Sequence, residues 1–255
     1  MNETFAGMNI VAAPIDYLDV EEKIRARYRL VVPKYRDDDE IEVTTENHRR
    51  LAGRLAQVCR SFSRPLIVLD VGCGTGRYFH CLENVERLVG IDISEEMLEA
   101  AKSPVLREEI SVGQIELLRQ NAFLADFPSG SFDFIYSLGM FGHGCPVTAA
   151  ICNRFHAWLK PQGKVLFNIV DFAGLPLCAR TRRRVRNLLY PRLGTAFRGK
   201  LDEREKRSPF FALSRKQLLG ILSASRFTDF EISSHPCRSP LWTGRHLECL
   251  ATNQS

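Results

Sequence analysis

The sequence predicts a doubly wound α/β domain: a mostly parallel, seven-stranded sheet with helices on both faces and an antiparallel closing strand. Three observations carry this expectation. Short apolar runs alternate with segments of helical periodicity, the pattern of a parallel sheet with crossover helices. A glycine-rich turn, Gly72-Cys73-Gly74-Thr75-Gly76, directly follows the first of those runs. The chain ends on two short strands with only a loop between them, which suits a closing antiparallel pair.

Residues 1–64 read as an N-terminal helical arm or cap. Its first part is mixed, with Tyr17, Tyr28, Tyr35 and the acidic run Asp37-Asp38-Asp39-Glu40. A helix is expected from about Thr45 to Phe62, because Leu51, Leu55, Val58 and Phe62 fall on one helical face; Ser63-Arg64-Pro65 breaks it. The domain proper spans 65–255. Leu66–Val71 is a nearly continuous apolar run, as in a strand buried on both faces. Further strands are expected at Arg87–Asp92, Ile115–Leu118, Phe132–Ser137 and Val165–Val170, with the last pair near Phe230–Ser233 and Leu247–Ala251. Helices are expected through Phe79 and Leu82, after an N-cap at Ser94, and from Pro146 to Leu159, where Lys160-Pro161-Gln162-Gly163 ends the helix. Ser214 and Gln217 form the S-x-x-Q capping box of another.

The chain has 255 residues, enough for one α/β domain with insertions or two small domains. Apolar residues make up 45% and charged residues 25%, which excludes disorder of the whole chain. A formal net charge of +5 is too small by itself to imply a nucleic-acid partner. None of the eight cysteines forms a C-x-x-C pair, so zinc-ribbon and thioredoxin chemistry has no support, and no metal site is expected. Each cysteine reads as a small buried apolar residue. The first residues lack a basic stretch followed by an apolar core, and nothing approaches the ~20 apolar residues of a membrane span. A cytoplasmic protein with reduced thiols and no membrane span is the expected setting.

The glycine turn discriminates between nucleotide ligands by spacing. A dinucleotide fingerprint starting at Gly72 requires glycine at position 77, where Arg77 stands, and the P-loop pattern is also absent. The pattern present is D-x-G-x-G-x-G, from Asp70 to Gly76. Asp92 ends the second strand in Gly90-Ile91-Asp92-Ile93-Ser94, where a carboxylate can accept hydrogen bonds from both ribose hydroxyls of an adenosine. Asn121-Ala122 precedes Asp126-Phe127-Pro128-Ser129-Gly130-Ser131-Phe132-Asp133, and Leu159-Lys160-Pro161-Gln162-Gly163 precedes the fifth strand. In this order the four segments closely resemble the motifs of class I S-adenosylmethionine-dependent methyltransferases, over Leu66–Val170 and more weakly over Leu213–Ala251. The resemblance implies S-adenosyl-L-methionine as cofactor, held by Asp70, Gly72, Cys73, Gly74, Gly76, Asp92, Ile93, Asn121, Ala122 and Ser137. Two positions depart from the family: Asn121 replaces the usual aspartate, though its side-chain carbonyl can still accept from an adenine amine, and Gln162 replaces a glycine.

A sulfonium already activates its methyl group, so an enzyme has chiefly to align the nucleophile and exclude water; a general base is needed only for a protonated nucleophile. His143, after the fourth strand, is the catalytic candidate, with a structural histidine as the alternative; Asp171 is its rival, with a solvated loop carboxylate as the alternative. The [DNS]-P-P-[YF] motif of base methylation is absent, and Cys145-Pro146 reverses the Pro-Cys order used against cytosine. An insertion at about 172–212 carries eleven Lys or Arg between Arg180 and Arg207, against Asp202, Glu203 and Glu205. It reads either as a solvated basic face or as a helical lid, with Val185, Leu188 and Leu189 facing inward, that recognises an anionic acceptor or RNA. The leading reading is a small-molecule O- or N-methyltransferase, with nucleic acid not favoured. The alternatives are an RNA or protein methyltransferase guided by the arginine-rich segment, and a non-catalytic protein that binds the cofactor or its product.

Overall fold

The computed structural model describes residues 34–142, 145–181, 210–238 and 243–255, together with positions 21, 25 and 185. The central strand β1 (Leu66–Val71) pairs in parallel with β2 (Val85–Asp92) on one side and β4 (Phe132–Ser137) on the other. Outward from β2 lies β3 (Gln114–Arg119), and outward from β4 lies β5 (Leu159–Val170), both parallel. The last two strands, β6 (Asp229–Arg238) and β7 (Thr243–Thr252), pair antiparallel to each other, and β7 inserts antiparallel against β5. The sheet order is therefore β3-β2-β1-β4-β5-β7-β6, the seven-stranded arrangement the sequence predicts. The direction of winding reverses between β1 and β4, and the crevice beyond their carboxyl ends is where such sheets bind ligands.

Alternation along β1 explains why both faces are covered. Leu66 and Val68 pack into one core with Leu51, Leu55, Phe79 and Leu88, while Leu69 and Val71 pack into the other with Ile135, Phe155, Trp158 and Leu218. Four helices supply those covers: α1 (Glu46–Arg60), α2 (Glu95–Ala101), α3 (Ala149–Trp158) and α4 (Arg215–Ser223). Ser94 caps α2 by accepting from the Met97 N–H, and the Ser214–Gln217 capping box is formed in full. Residues 34–42 are also helical. No helix among the described residues is long and apolar enough to cross a membrane.

Three local expectations need correction. The helix expected through Phe79 and Leu82 is a single tight turn, Phe79–Cys81, and Leu82 is already extended. The chain must return to β2 by Val85, and Asn84 reverses it at φ 54°, which leaves no length for an α-helix and its exit. Helix α3 starts at Ala149 rather than at Pro146, because Thr148 provides the side-chain cap, accepting from the Ile151 N–H at 3.2 Å. The cysteines are not uniformly buried: Cys178 is exposed and Cys145 half-buried.

Strand β5 begins directly after α3 and carries an irregularity where the sequence shows Lys160-Pro161-Gln162-Gly163: Phe132 faces Leu159, but Phe134 faces Lys164. Asn253 clamps this bulge, its side-chain amide donating to the Leu159 carbonyl at 3.0 Å and its backbone N–H to the Gly163 carbonyl at 2.9 Å. Gln162 sits there at φ 63°, in the left-handed region, at the position where the methyltransferases have glycine. Because a side chain makes that conformation costly, Gln162→Gly should raise unfolding stability by about 0.5–1 kcal/mol. The check is a higher urea midpoint at unchanged slope; an unchanged or lower midpoint overturns the expectation. Beside the bulge, the buried Asp133 carboxylate accepts from the Ile67 N–H at 2.8 Å and from Lys160 Nζ at 3.0 Å, and pairs with Arg64. Burial pushes Asp133 upward, but these hydrogen bonds outweigh it and hold the carboxyl below its ordinary value. The start of β1 is thereby tied to β4, which fixes where the glycine turn emerges.

Candidate functional site

At the carboxyl end of β1 the chain turns through Gly72 and Gly76, at φ 75° and 78°. A Cβ at Gly72 would lie 2.9 Å from the Met140 side chain, and one at Gly76 would lie 2.6 Å from the Phe79 ring, so both positions exclude any side chain. Gly74 differs: an added Cβ meets nothing within 4 Å, so this part of the turn faces open space. The turn is held against the end of β2. Gly72 and Cys73 donate their N–H groups to the Ile91 carbonyl at 2.8 and 3.0 Å, and Gly74 donates to Asp92 Oδ2 at 3.0 Å. The other Asp92 oxygen accepts the Ser94 N–H at 2.9 Å. Each carboxylate oxygen keeps lone-pair capacity beyond those bonds, so Asp92 is oriented rather than used up.

Asp70 lies opposite Tyr136 in the β1–β4 register and is 3% exposed. Burial pushes its carboxyl up to about 8, with the Asp92 charge adding to the rise and the Tyr136 hydroxyl opposing it. Burial also raises Asp92, against hydrogen bonds from the Ser94, Gly74 and Ile93 N–H groups. Folded Asp70 therefore keeps a proton up to about pH 8 that the unfolded chain releases near its ordinary value of 3.8. Stability should fall as pH rises through that window and level off above it, because the folded state binds the extra proton there. Asp70→Asn should flatten the decline between mildly acidic pH and pH above 8, measured by urea unfolding. The same decline in both proteins overturns this assignment.

The N-terminal part of the chain reaches the same turn. Asp39, 1% exposed, pairs with Arg77 Nε at 2.6 Å and accepts from the Thr75 hydroxyl. Glu21 accepts from the Asn121 side-chain amide at 2.9 Å, while the Asn121 carbonyl accepts the Phe123 N–H at 3.0 Å. A carboxylate thus stands next to the position where the methyltransferase family has aspartate. Ala122 is buried in the core behind it, and Ile93 is half-buried beside Asp92. Ser137, at the end of β4, donates its hydroxyl to the Val71 carbonyl at 2.8 Å and closes β4 onto β1. Cys73 is buried at the turn, and burial pushes its thiol well above the usual range.

Comparison with known proteins shows what this arrangement is similar to. Residues 68–163 match the family described as a methyltransferase domain. That segment is similar to a methyltransferase domain, and the chain shares its fold with solved methyltransferases. Its relatives include a demethylmenaquinone methyltransferase of Lactococcus lactis subsp. lactis, 33% identical over 142 residues, which are 54% of this chain and 55% of that protein. Another is phosphoethanolamine N-methyltransferase 3 of Arabidopsis thaliana, 38% identical over 111 residues, which are 43% of this chain and 21% of that protein. The chain therefore spans about half the length of the first relative and about a fifth of the second. Among solved structures, Burkholderia thailandensis 1,6-didemethyltoxoflavin-N1-methyltransferase shares the fold at a TM-score of 0.60 and 17% identity, covering 96% of this chain and 94% of that one. It was solved with 1,6-didemethyltoxoflavin and S-adenosylhomocysteine bound.

The matched segment holds Asp70, Asp92, Asn121 and the glycine turn. Glu21, Asp39 and Arg77 went unrecognised in the sequence as parts of the site; Arg77 served only as the residue that breaks the dinucleotide fingerprint. His143 lies outside the described residues, as do Arg182, Arg183, Arg184 and Arg186 of the basic insertion and Leu188 and Leu189. The flanks of His143 are placed: the Gly142 N–H donates to the Cys145 carbonyl at 2.9 Å, and the Gly142 carbonyl accepts from Phe211 at 2.8 Å. Val185 is 47% exposed, which corrects its expected inward orientation. Asp171 is neither solvated nor free. It is buried, caps the turn Phe172–Gly174 by accepting from the Ala173 N–H at 2.8 Å, and accepts from the Ser234 hydroxyl at 2.7 Å. One oxygen thus caps the local turn and the other ties it to β6, which gives the carboxylate a structural role.

Proposed function

We propose that this protein binds S-adenosylmethionine at the carboxyl edge of β1 and β2 and transfers its methyl group to oxygen or nitrogen of a small molecule. The observation that carries the reading is Asp92, aimed by two backbone N–H groups across from a glycine turn that faces open space at Gly74. Bound S-adenosylmethionine supplies a methyl group activated on a sulfonium. Asp92 accepts from the ribose hydroxyls, and Asn121 and Glu21 together offer the acceptor oxygens for the adenine amine. A cation near the turn favours ionised Asp70, which offsets the burial that keeps it protonated. The small-molecule acceptor is supported by the relatives named for demethylmenaquinone and phosphoethanolamine and by the neighbour solved with 1,6-didemethyltoxoflavin. The eight free cysteines accord with a cytoplasmic setting.

Isothermal titration should show saturable binding of S-adenosylhomocysteine and none of NAD. Incubation with methyl-labelled donor should then place label in the metabolite fraction of a cell extract. Label in total RNA or protein instead favours guidance by the arginine-rich segment. Binding without transfer to any fraction favours a cofactor-sensing protein, and no binding at all removes the proposal.

A further inference from the structure

We propose that His48, His80 and Cys81 form a binding site for a zinc-class divalent cation, with the fourth coordination position left to water. The three come from two elements: His48 from the first turn of α1, and His80 and Cys81 from the short turn that follows Gly76. Their ligand atoms all lie within 4.8 Å of one another. His48 Nε2 is 3.3 Å from His80 Nε2, and Cys81 Sγ is 3.3 Å from His80 Nε2 and 3.8 Å from His48 Nε2. A tetrahedral centre with Zn–N of about 2.0–2.1 Å and Zn–S of about 2.3 Å has edges of roughly 3.3 Å between nitrogens and roughly 3.6 Å from sulfur to nitrogen. The observed triangle has that size before any ion enters.

The chemistry of the donors selects the ion. Two imidazoles and a thiolate suit zinc and its borderline-soft neighbours, whereas magnesium and calcium require oxygen. The site is also preorganised. The His48 ring stacks on Tyr78 at 5.1 Å with the planes 8° apart, which fixes its orientation. His48 and Cys81 are buried, while His80 is half-exposed and gives the ion a route from solvent. Arg77, whose charge bears on His48, is already paired with Asp39, and Glu109 lies within electrostatic reach of both His80 and Cys81. On binding, the Cys81 thiol releases its proton to solvent and its sulfur donates to the metal, while both imidazoles bind as neutral ligands. An ion here joins α1 to the turn leaving the glycine loop, so its occupancy stiffens the exit of the candidate donor site. An adjacent His-Cys pair with a histidine 32 residues upstream matches no familiar ligand spacing, so the sequence alone points to no site here.

The test uses the full chain, stripped of metal with chelator and titrated with cobalt(II) as a spectroscopic stand-in for zinc. Stoichiometric binding should give the intense ligand-field bands of a four-coordinate site and a thiolate-to-cobalt charge-transfer band, and zinc should displace the cobalt. Cys81→Ser should abolish the charge-transfer band, and His80→Gln should weaken binding by more than about a hundredfold, beyond what loss of a merely orienting partner costs. Cys178→Ser, at an exposed thiol outside the cluster, should leave the spectrum unchanged. Weak octahedral bands, no saturable binding by the unaltered chain, or an unchanged spectrum in both cluster variants overturns the proposal. The unaltered chain decides the matter even if a variant does not fold.

Discussion

Asp92→Ala is expected to weaken S-adenosylhomocysteine binding by about 1.5–3 kcal/mol, roughly a 10- to 150-fold rise in Kd. Two losses combine in that figure. The first is the acceptor pair for the ribose hydroxyls, charge-assisted because the carboxylate is ionised when it accepts them. The second is local order: the Gly74 N–H at 3.0 Å and the Ser94 N–H at 2.9 Å lose their shared partner, so the turn and the start of α2 are no longer tied through one side chain. Asp92→Asn separates the two contributions. Its amide keeps one acceptor oxygen, enough for one of the two backbone bonds, and it should bind with an affinity between those of the alanine variant and the unaltered chain. Calorimetry measures the affinities, and urea unfolding shows whether the fold survives, since a variant that unfolds says nothing about the ribose. A folded Asp92→Ala protein with unchanged affinity removes the central assignment.

How much of this site is legible in the sequence depends on where each contact comes from. Leu66–Val71, the glycine turn and Asp92 are legible because a buried parallel strand is an apolar run, and its turn and following strand lie within about twenty residues of it. The Ser214–Gln217 box is legible because both partners sit three residues apart. The contacts that go unread are long-range. Glu21 meets Asn121 across 100 positions, and Asp39 meets Thr75 across 36, separations at which local pattern carries no information about pairing. Among the acids between positions 37 and 42, Asp39 and Glu42 are the buried ones, facing Arg77 and Asn47. Their spacing of three within residues 34–42 places them on one helical face, and that was the available signal. The short turn at Phe79–Cys81 fails for the opposite reason: Phe79 and Leu82 have helical spacing, but the chain between Gly76 and Val85 is too short to spend on a helix.

His143→Ala is expected to lower kcat by about 10²–10⁴-fold while leaving cofactor affinity nearly unchanged, if the acceptor arrives protonated and His143 takes its proton. The placement of its neighbours motivates the expectation. Gly142, at φ 102°, lets the chain turn sharply after β4, and its Cβ position would meet a Val170 methyl at 2.8 Å, so the loop is pressed onto the end of β5. Nearby, the Gly139 N–H is anchored on the Asn168 side chain at 2.8 Å, and Met140 closes over Gly72. Residues 138–142 therefore leave the sheet at the same carboxyl edge as the glycine turn, on the β4–β5 side, whereas Asp92 stands on the β2 side. Asp171, the other candidate, is buried and oriented by Ala173 and Ser234. A base and a structural histidine differ in what the substitution moves. Loss of a base lowers kcat steeply at unchanged S-adenosylhomocysteine affinity and removes the acidic limb of the kcat profile. Loss of a structural contact lowers stability and both kinetic constants modestly. A fall in kcat of less than about fivefold, roughly 1 kcal/mol in the barrier, assigns His143 to structure and leaves alignment and exclusion of water as the protein's whole contribution to the transfer.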